Sequence, residues 1–460
     1  MNGDVSAMLE ARQRRPLGGV ARPMLVAACV TIALLVPLCV LAVSSVPGSA
    51  AISIGIALLT LGMVGLGLGR TAEAFVLLGA FLAPMNNLHT SGALSFVTAA
   101  DAAFAVGFGL MVPDLIHRPL RLPSTFVVGS IGVLLAALIS SLLSEAPLGS
   151  LNGVVRLVVG AFGLATLLAW WTPSLKKIVA IAWAYVLGNV LSAANAIIES
   201  ATTWDGRRAG LAEHPNMFGL CALLGLSLIP FLITQTPRPR RWIPVCAGLM
   251  CFWALWTSGS RGALAALIVV ALIYPLISRS VLAALGLLAA FAVGVIFQEQ
   301  LLGESTSGNA LGRLLGQGSA TGSDEAREQV AEAALEQFQA HPILGVGLVD
   351  VLAAHIIYLQ IIAAMGVIGL AFFLLAGWAT VRPAFVLKAP LSLLALPAFS
   401  YATVGWVTPV LWDRYIWVTL GLSLVAPYLV AESPPGNEPP PADKALATGR
   451  ADRRSKTRYA

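Results

Sequence analysis

Residues 124–143 read STFVVGSIGVLLAALISSLL, twenty positions without a charge or a proline. A helix needs roughly 20 apolar residues to cross the hydrocarbon of a bilayer. The stretch has no two-residue alternation, so it does not read as a strand of a closed barrel. Similar windows recur along the chain at 24–43, 50–69, 72–84, 99–116, 151–171, 178–198, 217–234, 242–257, 263–277, 281–297, 356–379, 390–409 and 415–430. The window 72–84 is short enough to be re-entrant, so the expected count is about 12–14 spans. In lipid only helices and closed barrels satisfy every backbone polar group. The expected fold is therefore all-α and polytopic.

Composition agrees. The 460 residues are 58% hydrophobic and 11% charged, against about 25% charged in soluble domains, and the mean hydropathy is +0.85. The five cysteines (Cys29, Cys39, Cys221, Cys246 and Cys251) all lie in apolar runs and form no CxxC pair. They read as small buried hydrophobes. The basic segment before residue 24, with Arg12, Arg14, Arg15 and Arg22, makes the first window a signal-anchor helix rather than a cleaved leader.

The net charge of +6 is a matter of sidedness, and no nucleic-acid partner is expected. With the N-terminus in the cytoplasm, Arg70, Arg118, Arg121, Lys176, Lys177, Arg238, Arg240, Arg241, Arg279, Arg382 and Lys388 all fall inside. The N-terminal arginines and the basic C-terminal tail join them. Only Arg207, Arg208, Arg261, Arg313, Arg327 and Arg414 fall outside, and Arg156 lies within a span. That asymmetry is the one the positive-inside rule requires. The chain divides accordingly into a cytoplasmic segment (1–23), a first set of spans (24–298), a long exterior loop (299–350), a second set of spans (351–431) and a Pro-rich, basic cytoplasmic tail (432–460), which reads as disordered. The exterior loop holds one helical stretch at 324–339, with Asp324 and Glu325 suited to its first turn.

The exterior arginines run against the charge trend. Arg261, in Ser258-Gly-Ser-Arg-Gly262, sits in a tight turn between two apolar runs. A guanidinium held there is either a snorkelling boundary residue or a phosphate clamp, since arginine stays charged and offers a bidentate fork. Arg207 and Arg208 form a pair that reads either as an anion site or as partners of Asp205 and Glu213. Arg327 shares a helical face with Ala331, Ala334 and Phe338 and so points along an apolar stripe. Arg313 shows no such pattern and reads as a solvated loop charge. His355 falls where the long loop returns to the membrane. A histidine there is either a hydrogen-bonded boundary residue or a proton acceptor. His214 and His341 each precede proline and read as turn residues. No GxxxxGK[ST], GxGxxG, DxD or HExxH pattern is present, so no cofactor or metal is expected.

Ordered blocks from about residue 205 to residue 375 resemble the O-antigen ligase and polymerase family of membrane glycosyltransferases. They are Arg208-Ala-Gly210, Pro215-Asn216, Ser260-Arg261-Gly262, the helix near Arg327, His341-Pro-Ile-Leu-Gly-Val-Gly347, His355, Leu359-Gln360 and Gly366-Val-Ile-Gly369. Where the family often carries asparagine directly after the histidine, this chain has Ile356. The resemblance implies a metal-independent, inverting transfer of a glycan from a polyprenyl-pyrophosphate carrier to a glycan, lipid or protein acceptor. Arg261 and Arg208 would neutralise the leaving pyrophosphate and His355 would act as general base. Arg207, Arg327, Asn216 and Ser260 would bind substrate. Arg207 and Arg208 are alternatives for the first arginine of the pattern. Gly345 and Gly347 are candidates for a bend or hinge. Ligase and polymerase readings share this donor chemistry. A secondary transporter or lipid flippase is the rival of another class, and a sensor or scaffold with a partner-binding tail is a third.

Overall fold

A computed structural model describes residues 60–89, 97–199, 206–296, 310–314, 320–348 and 356–431. Among these residues the structure is helical, and the sole β feature is an isolated bridge between His89 and Thr98. The protein is an all-α, polytopic membrane protein. Its helices are α1 (Leu68–Leu82), α2 (Ala99–Leu115), α3 (Ser124–Leu143), α4 (Pro147–Trp171), α5 (Leu175–Ile198), α6 (Pro215–Gln235), α7 (Trp242–Thr257), α8 (Arg261–Ser278), α9 (Val281–Ile296), α10 (Ala310–Leu314), α11 (Ala320–Ala340), α12 (Ile357–Val381), α13 (Leu396–Val404) and α14 (Arg414–Ala431).

Six described helices (α3, α4, α5, α6, α8 and α12) are long and apolar enough to cross a bilayer. Helix α3 shows how such a helix sits. Phe126, Gly129, Ser130, Val133, Ala136, Ala137 and Ser140 are buried. Val128, Ile131, Leu135, Leu138 and Leu142 are exposed on the opposite face at steps of three and four. That spacing is one helical stripe, and an uninterrupted aliphatic stripe facing outward is a lipid-facing surface. Helix α6 is buried nearly all round and forms the centre of the bundle.

Lipid gives helices no hydrophobic reason to associate, so close packing at small residues and interhelical hydrogen bonds hold them together. Gly129 and Gly132 of α3 lie against α12. A Cβ at Gly129 would come within 2.5 Å of Ala376 N, and one at Gly132 within 2.2 Å of the Phe372 ring. Ser227 of α6 and Ser400 of α13 share a buried hydrogen bond of 2.6 Å.

The apolar windows and the helices differ in places. The window 24–43 lies outside the described residues. The window 390–409 is not one span: a 3-10 turn (Leu391–Ala395) leads into α13, which ends at Val404. Proline lacks the N–H a helix interior needs, and Pro390, Pro397 and Pro409 punctuate this window. The loop helix α11 begins at Ala320, so Asp324 and Glu325 fall in its second turn rather than its first. No proline interrupts 320–341, and the helix starts a turn earlier on Ala320. Cys246 is exposed, unlike Cys221 and Cys251. Cys29 and Cys39 lie outside the described residues.

Helix α12 is broken at Gly366, whose φ of 66° and ψ of −172° are not helical. A break in an apolar helix strips backbone groups of their partners. The segment following α11 supplies new ones. Val346 N–H donates to Ala363 O and Gly347 N–H to Ala364 O, both at 3.0 Å, and Val367 N–H donates to Pro342 O at 2.9 Å. The approach leaves no room for a Cβ at Gly366, which would lie 2.0 Å from Ile343 O. Leu348 N–H donates to Ser150 Oγ at 2.6 Å, tying the same segment to α4. Gly345 and Gly347, at φ 70° and 96°, therefore form a clamp against the break rather than a hinge.

This backbone region is essentially restricted to glycine and costs other residues about 1–3 kcal/mol. Gly366→Ala is expected to lower the thermal unfolding midpoint in detergent by several degrees. Gly377→Ala, on the same helix with nothing within 4 Å of the added Cβ, should leave it within a degree. Equal midpoints for the two variants would contradict the clamp.

Candidate functional site

The site is built where α8 begins. Gly259 takes φ 63°, turning the chain so that Ser260 caps the helix: its Oγ accepts from Ala263 N–H at 3.3 Å. Ser258 Oγ accepts from Ser260 N–H at 3.1 Å, closing the turn. Arg261 is thereby the first residue of an 18-residue helix. The free N–H groups and dipole of a helix N-terminus favour an anion there. Helix α6 presses on the turn from behind, for a Cβ at Gly219 would meet Ser258 Oγ at 2.5 Å. From the other side a Cβ at Gly262 would lie 2.3 Å from Val407 Cγ2. The turn is held between two glycine contacts.

The loop before α6 is tied to the same turn. Arg207 is buried; its Nε donates to Ser258 O at 2.8 Å and its Nη2 to Asn216 Oδ1 at 2.5 Å. Arg208 N–H donates to Thr257 O at 3.0 Å. His214 caps α6, its Nδ1 accepting from Asn216 N–H at 3.1 Å.

In front of the turn lies a cavity of about 320 Å³. Asn216 and the stretch Gly259–Gly262 form one wall, Val407 and Thr408 another, and Arg313 and Arg327 reach it from α10 and α11. None of the described residues lining it is acidic. Of the residues singled out from sequence, Arg261, Arg327, Asn216 and Ser260 meet here, and Arg207 touches the lining through Asn216. Arg208 is directed elsewhere, with its guanidinium on Ala196 O and 5.4 Å from the Trp253 ring centroid. His355 lies outside the described residues.

Helix α11 presents Arg327, Val330, Ala331, Ala334 and Phe338 inward and Glu328, Glu332, Leu335 and Glu336 outward. The amphipathic stripe thus carries Arg327 to the cavity. Arg313 corrects the sequence reading. It is 5% exposed and lines the cavity, not a solvated loop charge. A five-residue helix is too short to display a periodic stripe, so nothing local marked Arg313; only the packing of α10 against α7 and α8 brings it in.

A second charged cluster lies at the same end of the bundle. Arg414, at the start of α14, pairs with Asp101, which also caps α2 through Thr98. Arg156 lies 5.8 Å from the Trp412 ring centroid. Between them, in the connection before α14, burial pushes the Asp413 carboxyl up from 3.8 to about 6; Arg414 opposes this, Glu213 adds to it and Arg156 opposes it. The folded protein therefore holds this proton more tightly than the unfolded chain. The stability this contributes is complete below the unfolded value and is lost as pH rises through about 6. The unfolding midpoint of wild type is expected to fall more steeply from pH 4 to 7 than that of Asp413→Asn, and parallel profiles would contradict the assignment.

No curated protein matches the chain. A family model described as O-Antigen ligase matches residues 245–374, a stretch that runs from α7 past the break in α12. The match includes the Ser260–Arg261 turn and both loop arginines, and leaves out Arg207, Asn216 and the Val407–Thr408 wall. Through this segment, and over it alone, the chain is similar to the O-antigen ligase family.

Proposed function

We propose that this protein is a membrane glycosyltransferase that moves a glycan from a polyprenyl-pyrophosphate carrier to an acceptor hydroxyl at the exterior face of the plasma membrane. The observation that carries the reading is the convergence of Arg261, Arg313 and Arg327 with a helix N-terminus on one cavity. Fixed positive charge aimed at a site where negative charge develops is the main device for stabilising a leaving anion. A pyrophosphate is such a leaving group, and guanidinium forks match its oxygens.

In this reading the acceptor oxygen attacks the anomeric carbon as the bond from that carbon to the phosphate oxygen breaks. Both bonding electrons go to the pyrophosphate, which departs on its lipid. The arginines and the first turn of α8 hold the growing negative charge. Attack opposite the leaving group inverts the anomeric centre, and the guanidinium charge does the work without a metal. His355 takes the acceptor proton, the role implied by the family resemblance. Arg207 is a positioning residue, holding Asn216 and the Ser258 carbonyl so that the turn keeps its shape. Arg208 supports the same loop from its outer side. Helices α10 and α11 border the cavity through Arg313, Leu314 and Arg327 and limit hydrolysis by water.

Sidedness supports the same placement. Arg118, Trp171, Lys177 and Glu73 meet at one end of the bundle, beyond the C-terminus of α2, while the Asp101–Arg414 pair lies at the opposite end of α2. With the arginine-rich connections inside, the cavity faces outward and both termini are cytoplasmic.

A glycan profile of a deletion strain, covering envelope-attached and carrier-linked material, tests the reading. Arg261→Ala is expected to lower transfer by about 10²–10³-fold, and His355→Ala to abolish complementation. Long chains left on the carrier identify a ligase, whereas attached single repeat units identify a polymerase. Full complementation by both variants would reject the site and favour transport.

A further inference from the structure

A sugar offers a protein two kinds of surface, a rim of hydroxyls and faces made of C–H groups. The C–H hydrogens carry partial positive charge and lie flat on the negative face of an aromatic ring. The cavity end of the bundle holds such a ring. Trp406 stands in the turn past the end of α13 and is 63% exposed. It is nevertheless held in place. Its backbone N–H donates to Thr403 O at 3.2 Å, and the N–H of Val407 donates to Val404 O at 2.8 Å. At the head of α12, Ile357 N–H donates to Gly405 O at 2.7 Å. Tyr358 lies against the indole, with ring centroids 4.8 Å apart and planes at 47°. Its hydroxyl donates to Ala402 O at 2.7 Å. One side of the indole is thus backed by a fixed ring, and its exposure leaves the other side open.

Position separates this indole from a lipid anchor. Tryptophans that mark the membrane interface sit at the ends of spanning helices, as Trp242 does next to Arg241 and Trp378 does four residues before Arg382. Trp406 is on a turn instead, in a stretch from 402 to 411 that carries no charge. The two residues after it, Val407 and Thr408, line the cavity in front of Arg261. A Cβ at Gly262 would lie 2.3 Å from Val407 Cγ2, so this turn packs directly on the residue that follows Arg261. A fixed aromatic surface therefore continues the wall of the cavity. We propose that Trp406, backed by Tyr358, is a stacking platform for a pyranose ring of the transferred glycan or of its acceptor. This rests on the glycan-transfer reading above. It adds the apolar half of sugar recognition, which the arginines and hydroxyls of the cavity do not supply. Aromatic side chains give contact area at little cost in conformational entropy, and this one is already held by its turn and by Tyr358.

The test uses full-length protein in lipid nanodiscs, labelled with 5-fluorotryptophan and followed by fluorine NMR. The Trp406 resonance is the one missing from Trp406→Phe. Two probes are titrated separately: oligosaccharide released by mild acid from the carrier of the deletion strain, and oligosaccharide released from the envelope acceptor fraction of that strain. A saturable shift of the Trp406 resonance is expected with one of them, and the probe that produces it identifies the ring as donor or acceptor. No shift with either overturns the platform. In the glycan-profile assay Trp406→Leu keeps an apolar side chain but loses the aromatic face. It is expected to lower transfer about tenfold, the factor an aromatic contact supplies, with the unfolding midpoint unchanged, while Trp406→Phe stays close to wild type. An indole that only anchors to lipid predicts that leucine serves as well as phenylalanine, and that result also overturns the platform. If Trp406→Leu does not fold, the fluorine titration of the otherwise wild-type chain decides alone. Loss of transfer in Arg261→Ala with a silent Trp406 leaves the donor site standing and removes the platform. Full complementation by both Arg261→Ala and His355→Ala removes the donor site and the platform with it.

Discussion

In hydrocarbon every backbone N–H and C=O needs a partner within the protein, and the arrangement of this molecule follows from that constraint. Where the helices run unbroken, the condition is met locally and the sequence is free to be aliphatic and small. Where a helix breaks, another segment must come in. The break at Gly366 is filled by the segment around Gly345 and Gly347, which exchanges three hydrogen bonds with it. The return of the segment after α11 to the bundle is thus a backbone requirement, and it fixes where α11, and with it Arg327, stands relative to α12.

The second constraint is electrostatic. Most charged residues of the spanning helices lie near their ends, and three arginines converge on one cavity. The turn at Ser258–Arg261 is squeezed between Gly219 and Gly262 and stitched to Arg207. Each contact restrains the backbone turn that carries Arg261. Burial of Arg207 serves geometry, because both of its described partners are the scaffold of the turn. In the proposed transfer, preorganisation of this kind would let a fixed charge act on a developing anion without reorganisation at the moment of reaction. The neighbouring cluster of Asp101, Arg156, Asp413 and Arg414 joins α2, α4 and α14 at the same end.

The outline of the fold was legible because hydropathy is additive along a chain. A run such as 124–143 needs no knowledge of its neighbours to be a membrane helix. The same holds for α11, whose stripe from Arg327 to Phe338 is a local period. Local rules failed where several prolines share one window, as in 390–409, and where an element is too short to have a period, as in α10. The pair Arg207 and Arg208 could not be separated by residue type, since adjacent side chains leave the backbone in different directions and only the loop's path decides which one meets Asn216.

Residue types and their order along the chain were enough for an all-helical membrane protein, and they drew attention to Arg261, Arg327, Asn216 and Ser260, which the structure brings to one cavity. Those are one-dimensional properties: solvation by lipid, helical period and the sign of a loop. Packing alone assigned Arg313 to the cavity, gave Arg207 rather than Arg208 the contact with Asn216, and joined the 341–347 segment to the break at Gly366. Each of those depends on residues distant in sequence meeting in space, where close approach, burial and hydrogen-bond geometry are set by the partner as much as by the residue itself.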